Sequence, residues 1–200
     1  MNVRFLVVVA IALICSVAAF AQNPITADSP FQVRYAANVG PTGAGDSVIN
    51  ITNTGASGGN LCVNVYTFTP DEQEVSCCSC VVTPNGLVSL SANSDLISNT
   101  LTPAVPSSIV VKLVATTGAT CNPATIGTLA TGMAAWGTTV HQPPFAPVVA
   151  VTETAFTPAT PSGAELGRIS ALCGFIQSNG SGYGICKSCR AGALGGQQHM

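Results

Sequence analysis

Glu74-Val75-Ser76-Cys77-Cys78-Ser79-Cys80-Val81-Val82 places three thiols within four residues, inside a run that reads as a β-strand. The strand is bounded by the acidic turn Asp71-Glu72-Gln73-Glu74 on one side and the turn signal Thr83-Pro84-Asn85-Gly86 on the other. Side chains alternate along a strand, so Cys78 and Cys80 point to one face and Cys77 to the other. Adjacent Cys77 and Cys78 cannot bond each other without a strained peptide. The cluster therefore reaches at least two separate parts of the chain. Five further cysteines lie beyond the first 21 residues: Cys62, Cys121, Cys173, Cys186 and Cys189.

The chain opens like a secretory leader. Arg4 precedes the uncharged run Phe5–Cys15, and Ala19-Phe20-Ala21 is a small-x-small ending ahead of Gln22. A retained membrane anchor is the rival reading, since the apolar run barely reaches spanning length. Residues 1–21 are thus expected to be a signal peptide, and no later segment reads as a membrane span. Export places the thiols where cysteines pair, and loss of Cys15 with the leader leaves an even set of eight. Their connectivity is not readable from spacing. Cys173, Cys186 and Cys189 are the expected targets of the strand cluster, because the segments that carry them lack a core of their own.

Outward from that strand, period-two alternation marks Phe31–Val39, and further strands are expected at 47–52, 61–69, 87–91, 107–116, 134–141 and 147–156. The second and third, joined through Gly55-Ala-Ser-Gly-Gly59, are expected to form a hairpin. The strand at 107–116 is apolar on both faces and suits a central position. Pro143, Pro144 and Pro147 imply an edge or a kink before the last strand. Many short strands separated by turn signals point to an immunoglobulin-like β-sandwich spanning residues 22–160, with a closed barrel as the alternative. At Ser162-Gly-Ala-Glu165 the pattern changes to a capping box, and Leu166, Ile169, Leu172, Cys173 and Ile176 share one helical face. Residues 161–200 thus read as a C-terminal helix and a glycine-rich, disulfide-tied tail packed on the sandwich.

Only 7% of residues are charged. Beyond the leader, Arg34, Lys112, Arg168, Lys187 and Arg190 face eight acids, so no basic patch exists to neutralise phosphates and nucleic acid is excluded as a partner. So neutral a surface suits packing against copies of the chain, as a homo-oligomer or fibre, or against an extracellular matrix.

Three chemistries compete for the thiols. Structural disulfides fit the compartment. A zinc site would draw thiolates from Cys77, Cys78 or Cys80 with Cys186-x-x-Cys189, although Cys-Cys-x-Cys is not a standard zinc knuckle. Redox chemistry at Cys186 and Cys189, beside Lys187 and Arg190, lacks the strand-then-helix setting of such motifs. His141 and His199 are the imidazoles, and no nucleophile elbow, zincin helix or phosphate loop accompanies them. No catalytic residue and no resident cofactor is therefore assigned, and the chain is not expected to be an enzyme. Asp71, Glu72 and Glu74 read as a solvated turn and not as a calcium loop.

The block Thr69–Leu90, with its Cys77-Cys78-Ser79-Cys80, and the block Glu165–Arg190, with Cys173 and Cys186-Lys-Ser-Cys189, together with Leu96–Pro103, resemble a family of uncharacterised, secreted, Cys-rich proteins found mainly in acidobacteria. The resemblance implies an exported bacterial protein, and implies that the two cysteine blocks form one unit; with the leader and the neutral surface, a structural or binding role at or outside the cell surface is expected. The resemblance implies no activity.

Overall fold

The computed structural model describes residues 29–37, 39, 46–117, 121–141 and 150–190. The expected leader at residues 1–21 with Cys15, the Gly40–Gly45 break, the prolines at 143, 144 and 147, and His199 lie outside the described residues.

Among the described residues nine strands form two antiparallel sheets: β1 (Phe31–Ala37), β2 (Ser47–Asn53), β3 (Leu61–Phe68), β4 (Glu74–Val82), β5 (Leu87–Ser91), β6 (Ser108–Thr116), β7 (Met133–His141), β8 (Ala150–Ala155) and β9 (Thr157–Pro158). One sheet runs β4-β3-β6-β1-β9 and the other β5-β2-β7-β8. The helix α1 (Gly163–Ser178) follows the strands, capped by Ser162 Oγ, which accepts from the Glu165 amide at 3.0 Å. The protein is mainly β with one C-terminal helix.

The expected β2–β3 hairpin does not form. β2 pairs with β5 and β7, whereas β3 pairs with β4 and β6 in the other sheet. The Gly55–Gly59 turn carries the chain from one layer to the other, and Asn53 at its start donates to Gly59 O and to Val82 O. β3 is buried at all eight positions, so it requires a neighbour on each side and cover on both faces. β6 holds the central position expected of it, between β3 and β1.

Two apolar clusters result. The larger lies between the sheets and joins Ile49, Ile51, Leu90 and Met133 of one sheet to Val63, Val65, Ile109 and Leu113 of the other, with Cys78 and Cys80 included. The smaller lies outside the first sheet, beneath α1: Tyr66, Phe68, Cys77 and Val114 from the strands meet Ile169, Cys173 and Ile176 from the helix. The chain after α1 then returns along β4. Ser79 N donates to Gly184 O and Cys186 N to Ser79 O, a parallel bridge that covers the outer edge of that strand.

Candidate functional site: the cysteine clamp and the cleft beneath the helix

All eight cysteines among the described residues are paired. Cys62 bonds Cys121, Cys77 bonds Cys173, Cys78 bonds Cys186 and Cys80 bonds Cys189. The alternation along β4 explains the division of labour. Cys77 faces outward to the helix, whereas Cys78 and Cys80 face the inner core and take the tail. The five residues of the zinc alternative are each half of a disulfide, so this arrangement presents no thiolates to a metal. The same pairing removes Cys186 and Cys189 as free redox thiols.

The tail is held by more than sulfur. Asp95, fully buried in the short π-helical turn Ala92–Leu96, accepts from Ser188 N and Ser188 Oγ at 2.7 Å each and from Ser91 N at 2.9 Å. Tyr183 stacks under Lys187 Nζ at 5.0 Å and near the Arg190 guanidinium at 5.4 Å. Those cations and a hydrogen bond with Ser98 lower the Tyr183 pKa against the opposing effect of its burial. Asp95 carried no signal in the sequence, where an acid among Ala, Asn and Ser reads as solvated loop.

Asp71 and Glu72 are exposed as expected, but Glu74 is not part of a solvated turn. The β3–β4 register slips between Thr67 and Phe68, so Thr67 faces Ser76 while Phe68 faces Glu74. This bulge turns Glu74 to the same outer face as Phe68, under the helix. The residue is 7% exposed, its two carboxyl oxygens are buried, and neither has a hydrogen-bond partner among the described residues. Burial pushes its pKa up to about 8, against the weaker pull of Lys112 and Arg168. A carboxylate oxygen of Glu74 and the sulfurs of Cys77 and Cys173 lie within 4.8 Å of one another. Because those sulfurs bond each other, the trio is no metal site as it stands.

A cleft of about 500 Å³ opens between the first turns of α1 and the ends of β3 and β6. Phe68, Val110, Ile169 and Leu172 form apolar walls, and Lys112, Glu165, Arg168 and Glu72 supply charge. Lys112 Nζ spans it to Glu165 Oε1 at 2.7 Å and lies 4.8 Å from the Phe68 ring centre. His141 is far from this cleft in sequence and sheet, at the end of β7, with Nε2 2.9 Å from Thr152 Oγ1. No described helix is long and apolar enough to cross a membrane.

No family model matches the chain, and no curated protein matches it. Among solved structures, the chain is similar to the crystal structure of Thermotoga maritima 1070, at 12% identity and a TM-score of 0.42, over 68% of this chain and 97% of that one. A likeness at that level says nothing about activity.

Proposed function

We propose that the protein is an extracytoplasmic structural subunit that packs against copies of itself at the bacterial cell surface or in the extracellular matrix. The observation that carries this reading is the unequal treatment of the sheet edges. β4 is covered by the clamped tail, and β9 ends its sheet with only two residues. The other sheet ends in β5, which pairs with β2 and keeps Val88 and Leu90 buried, and in β8, which pairs with β7 and has all six residues exposed. Among the described residues nothing pairs with its outer edge, which is a template for a strand from another chain. The four disulfides support export. The crossing of β2 to β3 and of β4 to β5 between layers supports reading the sheets as an immunoglobulin-like sandwich.

Sedimentation of the exported protein over a concentration series, with electron microscopy of the same samples, tests the assembly. Growth with concentration is expected, and Val151→Lys, which places a charge on the open strand, should abolish it. A wild-type protein that stays monomeric without filaments would sink the proposal.

A further inference from the structure

The cleft beneath α1 is a second feature, independent of assembly. From Ile169 onward the helix is drawn onto the sheet, by Cys77–Cys173 and by buried Ile169 and Ile176. Its first turns stand away, and the Lys112–Glu165 strut holds the gap. A preformed, largely apolar cleft of this size with a few convergent polar groups is the usual shape of a small-molecule site.

The charges choose the class of ligand. Lys112 and Glu165 satisfy each other at 2.7 Å. Arg168, also lining the cleft, makes no hydrogen bond or ion pair among the described residues. Its guanidinium offers a planar fork that matches a carboxylate. In a chain with 7% charged residues, the meeting of Lys112 and Arg168 at one apolar cleft is no by-product of a charged surface. Glu74, behind Phe68 in the ladder, keeps its proton at neutral pH and does not repel an anion. Glu72 is exposed at the rim. It holds a left-handed backbone with φ of 67°, which directs the Pro70–Gln73 turn along the cleft mouth.

We propose that this cleft binds a single-chain amphiphile with a carboxylate head: the head on the Arg168 guanidinium, the alkyl chain along Phe68, Val110, Ile169 and Leu172. Octanoate, below its micellar range, is the probe. Calorimetric titration into the oxidised full-length mature protein should show saturable one-to-one binding, with amide shifts in α1 and at the ends of β3 and β6. Arg168 is exposed on the helix surface, so Arg168→Gln should fold normally by circular dichroism and bind octanoate at least about tenfold more weakly. Butyrate should bind far more weakly than octanoate, because it loses the apolar wall. The proposal is overturned if octylammonium binds as well as octanoate, if Arg168→Gln leaves the affinity unchanged, or if no saturable binding occurs.

Discussion

Cys77 and Cys78 are neighbours in the chain, yet their sulfurs bond on opposite faces of one strand. Cys77 holds the helix through Cys173, and Cys78 holds the tail through Cys186, 108 residues away. Cys80 repeats the second attachment at Cys189. A glycine-rich tail with no core of its own is thus fixed to a buried strand at two points, and the helix that precedes it is fixed to the same strand at a third.

Three of the four bridges close overlapping loops that start within four residues of one another in β4, and this makes their contributions unequal. In the chain-entropy account a first bridge over a loop of 59 residues, Cys62–Cys121, stabilises by about 4 kcal/mol. Once Cys78–Cys186 is closed, Cys80–Cys189 adds only a very short further loop, so its increment is far smaller. Cys80→Ala with Cys189→Ala should therefore lower stability less than Cys62→Ala with Cys121→Ala, measured by denaturant unfolding. Intact mass before and after reduction should differ by eight hydrogens. A smaller difference, with stoichiometric zinc in the unreduced protein, would restore the metal reading.

Glu74 gives stability a definite pH dependence. Its folded pKa, about 8, lies above the ordinary 4.5. Below about 4.5 the folded and unfolded chains both hold the proton, and the carboxyl costs nothing extra. Between about 4.5 and 8 the unfolded chain releases a proton that the folded chain keeps, so stability falls as pH rises, by up to about 1.4 kcal/mol per pH unit. Above about 8 the loss levels off. Lys112 and Arg168 act against the shift, and Tyr66, whose own ionisation burial and Glu74 oppose, does not relieve it. Glu74→Gln should remove this dependence. Its stability relative to wild type should be greater at pH 8 than at pH 5 by as much as about 4 kcal/mol. Parallel pH profiles for the two proteins would show that Glu74 is not the group responsible.

How far the sequence reveals these arrangements depends on what each residue advertises. Strands such as Phe31–Ala37 and Ser108–Thr116 are legible because one or both faces meet the core, which writes itself into the side-chain alternation. The partner of a strand is not written there. β2 and β3 look like a hairpin from their loop, but the need of β3 for two neighbours and two covered faces is a property of the whole sheet. The clamp was readable because strand geometry and chemistry both constrain cysteine. Glu74 was not, since a one-residue bulge decides whether it faces solvent, core or helix, and no residue type marks that bulge. Nor is the cleft legible: Phe68, Lys112 and Arg168 are far apart in sequence, and each alone reads as ordinary strand or helix surface.

Arg34 and Gly137 make a size-matched pair across the two sheets. Arg34 leaves β1 and lies over β7, its Nε donating to Thr154 Oγ1 at 2.8 Å and its Nη2 to Thr139 Oγ1 at 3.2 Å. A Cβ at Gly137 would stand 1.8 Å from Arg34 Nη1, inside any contact distance. Gly137→Ala should thus expel the guanidinium from its slot and destabilise by about 1–3 kcal/mol. With Arg34→Ala the slot is already empty, so adding Gly137→Ala should cost much less. Chemical unfolding of the four proteins of the cycle measures that coupling, and simple additivity would refute it.

Asp95 should govern whether the tail stays on β4 independently of its disulfides. Its two oxygens accept from Ser188 N, Ser188 Oγ and Ser91 N, and it is fully buried, so removing the side chain leaves those donors without their acceptor. Hydrogen bonds to an ionised group contribute about 1.5–3 kcal/mol. Asp95→Ala leaves all four bridges able to form, so the chain should still show the full mass deficit of the oxidised protein. Its amides at Cys186 and Cys189 should nevertheless exchange with solvent at least about tenfold faster, while those of β6 keep wild-type protection. Asp95→Asn, which keeps one acceptor oxygen, should fall between. If exchange in the tail is unchanged in Asp95→Ala, then sulfur alone holds the tail, and the π-helical turn at Ala92–Leu96 is only a connection between β5 and the loop that leads to β6.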